Sequence, residues 1–167
     1  MTTTGSAVVS TPSDTQILIT RDFAAPARLV WRAWTEPDLV RRWWSGERGE
    51  VTSVEIDLRV GGAWRYVVKD GDNEVGFHGV YREIDAPHRI VSTEAFEGLA
   101  AFGIDDDPDS VASVNTITLE EADGVTTMTT LVEHVNQDHR DGHIASGMEG
   151  GMQVSYDRLE NVLHDSA

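Results

Sequence analysis

The sequence predicts an α+β fold: a curved antiparallel sheet of about six to seven strands, two short helices after the first strand and a long helix at the C-terminal end. Three observations carry this. Apolar residues recur at helical spacing near the beginning and the end of the chain, and strand-like alternation fills most of the space between. Two turn signals, Asp70-Gly71-Asp72-Asn73 and Ala122-Asp123-Gly124, each join a pair of alternating runs, the pattern of antiparallel hairpins. Neither an internal repeat nor a linker divides the chain.

Residues 1–15 are rich in Ser and Thr and read as a disordered tail, leaving 16–167 as one domain. "QILITRDF" is the first strand, with Ile17, Ile19 and Phe23 in phase. Pro26 suits a helix start, and Leu29, Val30, Ala33 and Trp34 mark one helical face. Pro37 biases Glu36 away from the α region, so a second short helix follows from Asp38 to Trp44 and stops at Ser45-Gly46. Val51, Val54, Ile56 and Leu58 alternate imperfectly, as a strand with a bulge does. Trp64, Tyr66 and Val68 alternate outward to the first hairpin turn, and Val75, Phe77, Gly79 and Tyr81 alternate back. "APHRIVSTEAF" supplies another strand, and 113–135 supplies the second hairpin. Ile144, Met148, Met152, Leu159 and Leu163 mark the face of the last helix.

The chain carries a net charge of −16, of which residues 101–167 account for −12. Such a field repels phosphate backbones and anionic lipid heads, which argues against nucleic acid and membrane partners despite the Arg-flanked cluster "WRAWTEPDLVRRWW". No cysteine is present, so disulfides and thiolate chemistry are excluded. Neither a signal peptide nor an apolar run of membrane-spanning length stands out, and a cytoplasmic protein, monomer or homodimer, is the expectation.

Several strings, "ITRDFAAPARLVWRAWTEPDLVRRWW", "DLRVGGAWRY", "FHGVYREIDAPHRIVST" and "GMEGGMQVSYDRLENVL", resemble the family named for the activator of Hsp90 ATPase, within the START and Bet v 1-like superfamily. The resemblance implies a helix-grip fold, in which the sheet wraps around the C-terminal helix with a cavity between them. It also implies a range of roles: cochaperone domains, polyketide cyclases, and binders of lipids or hormones. Many relatives carry Gly-Trp in the last helix where this chain has Gly151-Met152, so a relative's ligand does not transfer directly.

The expected function is binding of a small, largely apolar or aromatic molecule in an internal cavity, with no catalytic group, metal or cofactor. Candidate lining residues are Trp34, Trp44, Trp64, Tyr66, Phe77, Tyr81, Phe102, Met128, Met148, Met152 and Tyr156. Trp31 and Trp34 read as core. Trp43 and Trp44 are adjacent and cannot share one helical face, which places one of them at a cavity rim. Residues 97–110 mix Leu99, Phe102 and Ile104 with aspartates, as a lid would.

Two other classes remain open. One is a biosynthetic, cyclase-like enzyme using Tyr66, Tyr81, Asn115, Glu133 or Tyr156 as polar contacts. Within it lies a self-sacrifice role against enediyne antibiotics, which the resemblance suggests, with Gly147, Gly150 and Gly151 as close-approach or cleavage positions. The other is a cochaperone-like interaction module. Catalysis predicts an interior polar group with a shifted pKa, and interaction predicts an exposed apolar patch. "EHVNQDHRDGH" tempts a metal reading through His139 and His143. Gly142 between them, and no Glu beside the first, favour a solvated loop. His78, in opposite phase to Phe77 and Tyr81, points outward.

Overall fold

Alternation sets the sheet. The computed structural model describes residues 6–45 and 49–166. Its strands are β1 (Val8–Ser10), β2 (Gln16–Phe23), β3 (Glu50–Ile56), β4 (Ala63–Asp70), β5 (Asn73–Asp85), β6 (Arg89–Phe96), β7 (Ser113–Ala122) and β8 (Val125–Glu133). They form one antiparallel sheet in the order β1-β2-β8-β7-β6-β5-β4-β3. The helices are α1 (Ala27–Thr35), α2 (Pro37–Trp43), α3 (Gln137–Ala145) and α4 (Met148–Ser166), with a 3-10 turn at Leu99–Phe102. This is the predicted helix-grip arrangement.

Local chemistry explains most boundaries. Pro37 occupies the first turn of α2, where its missing N–H costs little, and Glu36 before it is extended at ψ 119°. The irregular alternation in β3 is a register shift between Val51 and Ser53 against β4. At the β7–β8 hairpin, Asp123 and Gly124 both have positive φ (53° and 79°), the geometry whose twist matches two paired strands. Gly147, at φ +84°, breaks the chain between α3 and α4, so the last helix begins at Met148 after the glycine-rich approach.

Two expectations change. Val8–Ser10 lies in the stretch expected to be disordered, yet it pairs with β2 from Val8↔Thr20 to Ser10↔Leu18. Gln153 of α4 fixes it by reciprocal bonds with the Ala7 backbone, accepting from its N–H at 3.0 Å and donating to its carbonyl at 2.9 Å. The sheet therefore has eight strands. The second change is α3, which takes up the histidine string expected as a loop. Asn136 caps it, accepting from the His139 N–H at 2.9 Å, and this capping outweighs the roughly 1 kcal/mol that Gly142 costs inside a helix.

The inner face of the sheet holds two apolar cores. One gathers Ile17, Phe23, Val30, Trp43, Leu119 and Leu159 between the β2–β8 half, α1 and α4. The other gathers Val40, Val51, Val54, Trp64, Tyr66 and Tyr81 between the β3–β5 half and α2. Trp31 and Trp44 pack against both.

Candidate functional site

Between these cores the inner face turns polar. Cross-strand register places Tyr81 opposite Ser92, Ser92 opposite Asn115, and Glu94 opposite Ser113. In a sheet, paired residues share a face, so Ser92, Glu94, Ser113 and Asn115 form a seam along β6 and β7 that looks toward the helices. Asn115 Nδ2 donates to Glu94 Oε1 at 3.2 Å, and Ser113 Oγ donates to Asn115 Oδ1 at 3.0 Å. The serine thereby orients the amide, and the amide orients the carboxyl.

Glu94 is the unusual group. Burial raises its pKa to about 7, against a weaker opposing effect of the Asn115 hydrogen bond. No cation among the described residues contributes to the balance. Although the carboxyl is deeply desolvated, the residue keeps some accessible surface, as do Asn115, Phe77, Phe96 and Trp44 on the same inner side. Aromatic rings surround the seam: Trp64 and Tyr66 lie 4.7 Å apart between centroids, Trp44 is 4.9 Å from Tyr66 and 4.8 Å from Phe77, and Phe77 is 5.2 Å from Phe96. Burial pushes Tyr81 and Tyr156 to about 12 and Tyr66 well above its usual range, and the Glu94 charge adds to the shifts of Tyr66 and Tyr156. All three phenols are therefore neutral hydrogen-bonding groups at neutral pH.

The predicted lining residues divide between the two halves. Trp34, Met128, Met148 and Tyr156 belong to the first core or its border, with Met152 packed against it; Trp34 Nε1 donates to Met128 Sδ at 3.2 Å. Trp64, Tyr66 and Tyr81 belong to the second, with Trp44 and Phe77 on its edge. Phe102 departs from the expected lining. It is 68% exposed on the 3-10 turn, with its ring centroid 6.0 Å from that of Phe96. Trp43 is buried to 1% and donates to the Ala33 carbonyl at 2.9 Å, whereas Trp44 sits between the cores. Gly150 is exposed and Gly151 part-buried in the first turn of α4.

Among the polar candidates, Asn115, Tyr66, Tyr81 and Tyr156 face inward. Glu133 does not: it is exposed at the end of β8, accepting from Gln16 Nε2 at 3.0 Å. Glu94 itself escapes a reading of the sequence. Its strand has apolar residues in both phases, Ile90 and Phe96 in one and Val91 and Ala95 in the other, because β6 is buried on both faces.

The outer face carries a separate feature. An open recess of about 870 Å³ is bordered by Glu55, Arg65, His78, Val80, Arg82 and Asp109; of the predicted lining residues only Trp64 touches it. A chain of charges runs along it. Arg65 makes a two-pronged contact with Glu97 at 3.0 and 2.7 Å, Glu97 meets His78 Nδ1 at 2.6 Å, and His78 Nε2 meets Asp109 at 2.5 Å. His78 does point outward, as its strand phase implies. Asp109 and Asp106, the latter 3.4 Å from His139, tie the 97–110 loop to β5 and α3. Among the described residues no group of three or more His, Asp or Glu side chains is disposed to hold a metal ion. No helix there is long and apolar enough to cross a membrane.

Comparison with known proteins agrees with this architecture. A protein from Rhodobacter sphaeroides is 23% identical, with 96% of this chain and 99% of that one aligned at a TM-score of 0.83. Protein NE0264 from Nitrosomonas europaea is 24% identical over 93% and 98%, at 0.80. Protein Ms6760 from Mycobacterium smegmatis is 23% identical over 98% and 100%, also at 0.80. At such identities these likenesses establish the fold. No curated protein sequence matches the chain. The family described as activator of Hsp90 ATPase homolog 1-like protein matches residues 24–164, and with that span, the eight-stranded sheet and the gripped helix, the chain belongs to this family.

Proposed function

We propose that the protein binds a small, largely aromatic molecule on the inner face of the sheet, between the two apolar cores. The observation that carries this reading is the polar seam itself. A folded interior gains by closing two apolar clusters into one, and a desolvated carboxyl between them is costly unless it meets a partner. Here Glu94 has one amide donor and shares the inner face with aromatic rings, of which Tyr66 and Tyr156 feel its charge. Those rings suit a planar molecule, and the neutral tyrosines suit its polar substituents.

Trp44 and Trp64 flank the site, so tryptophan fluorescence reports occupancy. Titration with small aromatic compounds is expected to give a saturable change, and native mass spectrometry of protein from its own host is expected to show a retained mass. A chain that retains nothing and responds to no compound, its side chains packing the interior shut, overturns the reading.

The Glu94 pKa of about 7 favours a second reading, a cyclase-like enzyme in which this carboxyl moves a proton at an activated carbon. The two separate cleanly. A pure binder converts no ligand either as wild type or as Glu94→Gln, whereas an enzyme acting on a poly-ketone turns it over as wild type and loses that turnover by about 100-fold or more in Glu94→Gln. The exposed large apolar residues spread over β1 (Val8), the β3–β4 connection (Leu58, Val60), the 3-10 turn (Phe102) and α3 (Ile144), with Val80 and Val135 bordering the outer recess, a pair too small to give the interaction-module reading comparable support.

A further inference from the structure

We infer that the molecule taken up by the interior carries a positively charged nitrogen, an alkylammonium on an aromatic body, and that Glu94 is the residue selecting it. This rests on the reading of the inner face as a binding site and adds the chemical class of its ligand.

The inner face of the sheet is sparsely charged. Three charged side chains lie on its inward phase in β2, β6 and β7. Arg21 is matched by Asp157 at 2.9 Å and Glu160 at 3.4 Å, both from α4. Glu121 receives the Ala27 backbone N–H at 2.7 Å and so serves the start of α1. Glu94 has Asn115 alone, on one oxygen. Its second oxygen has no hydrogen-bond partner among the described residues, and the residue keeps some accessible surface. A carboxylate in such a place either takes up a proton or is balanced by a cation or an N–H donor from outside the chain.

What surrounds that oxygen fits an organic cation. Tyr66 and Tyr156 lie near enough to feel the Glu94 charge, and aromatic rings attract ammonium groups through their quadrupoles. An alkylammonium also keeps its proton against a carboxyl of intermediate acidity, so the pair forms charged. The chain's net charge of −16 concentrates cations and repels anions on approach. A fatty acid or aromatic carboxylate, by contrast, brings a second negative charge toward Glu94 and finds the inward Arg21 already neutralised.

The test uses three probes of one shape, 4-phenylbutylamine, 4-phenylbutanol and 4-phenylbutanoate, titrated calorimetrically into the intact protein at about pH 8, where Glu94 is ionised. The amine is expected to bind about tenfold or more tighter than the alcohol, and the carboxylate weaker than both. Glu94→Gln should lower the amine to the alcohol's affinity while leaving the alcohol within about twofold. In the wild type, lowering the pH to about 5.5 should weaken the amine about tenfold and leave the alcohol unchanged, because the carboxyl then binds its own proton. This second arm needs no variant. If the alcohol binds as well as the amine, or if the amine's advantage survives Glu94→Gln, the ligand class is wrong while the interior site stands. If none of the three binds, the site reading falls and this inference with it.

Discussion

Trp64 lies across Gly79, and its indole N–H donates to the Thr93 carbonyl at 3.2 Å on the far side. The two residues are register partners on β4 and β5, so the missing side chain of one makes room for the ring of the other. A Cβ at Gly79 would stand 1.8 Å from the Thr93 carbonyl oxygen and 2.6 Å from Trp64 Nε1. The first neighbour is backbone in a strand paired on both sides and cannot yield cheaply. Gly79→Ala is expected to cost about 3 kcal/mol in urea unfolding, at the upper end of ordinary overpacking, and to lower aromatic binding by displacing Trp64. A cost under about 0.5 kcal/mol would show that the ring does not rest there.

Glu94 makes stability pH-dependent in an uncommon direction. Its folded pKa of about 7 exceeds the ordinary 4.5, so the folded state holds the proton more tightly than the unfolded one. Stability from this group is full below about pH 4.5 and falls as pH rises toward 7 and beyond. Integrated, the loss approaches about 3 kcal/mol, less whatever the carboxyl's residual hydration returns. Glu94→Gln should therefore be more stable than the wild type at pH 8 and close to it at pH 4.5, as read from thermal melts across that range.

His78 acts oppositely on the outer face. Burial of the ring works against protonation, but hydrogen bonds to Glu97 and Asp109, with their charges, outweigh it and lift the pKa above 6.5. Glu97 is held down to about 2, first by Arg65, against a desolvation effect, and then by His78. With both ring nitrogens facing carboxylates, only the imidazolium can donate to both. The contribution of His78 is present below pH 6.5 and is lost as pH climbs through its folded value. Asp109 is the exposed partner, so the 97–110 loop should loosen first, and amide exchange in that loop should rise from pH 6 to 8.5. In His78→Gln the loop's exchange, corrected for intrinsic rates, should be insensitive to pH over the same range.

Arg21 joins β2 to α4 with its guanidinium buried over the Phe23 ring at 5.1 Å. Its two carboxylate partners differ in exposure, at 69% for Asp157 and 24% for Glu160. Arg21→Met removes the buried charge, keeps most of the volume and leaves carboxylates that water can reach, so a cost of about 1 kcal/mol or less is expected. The double variant Asp157→Ala/Glu160→Ala leaves a buried cation uncompensated and should cost about 3–5 kcal/mol. Chemical denaturation ranks the two, and the reverse order would mean that packing of the arginine stem dominates.

Local signals made much of the fold legible. Pro37 divides the two short helices and Asp123-Gly124 turns the second hairpin, each through backbone restrictions that need no distant partner. Strand phase placed Trp64, Tyr66 and Tyr81 inward and His78 outward, because flanking aromatics marked the buried side. The N-terminal strand was not legible in that way: three residues in a Ser/Thr-rich stretch become β1 only because β2 offers an edge and Gln153 holds Ala7. Nor was α3, whose cap outweighs an internal glycine.

The sequence by itself determined the order of the elements other than β1 and α3, the family and which strand aromatics turn inward, since periodicity and turn chemistry act over a few residues. The tertiary structure decided what the inner face offers a ligand. A glutamate on β6 becomes a desolvated, half-partnered carboxyl only when Ser113 and Asn115 come alongside on β7 and tyrosines close in from β4, β5 and α4. The pKa of a group follows its surroundings in space, and those are assembled from residues far apart along the chain.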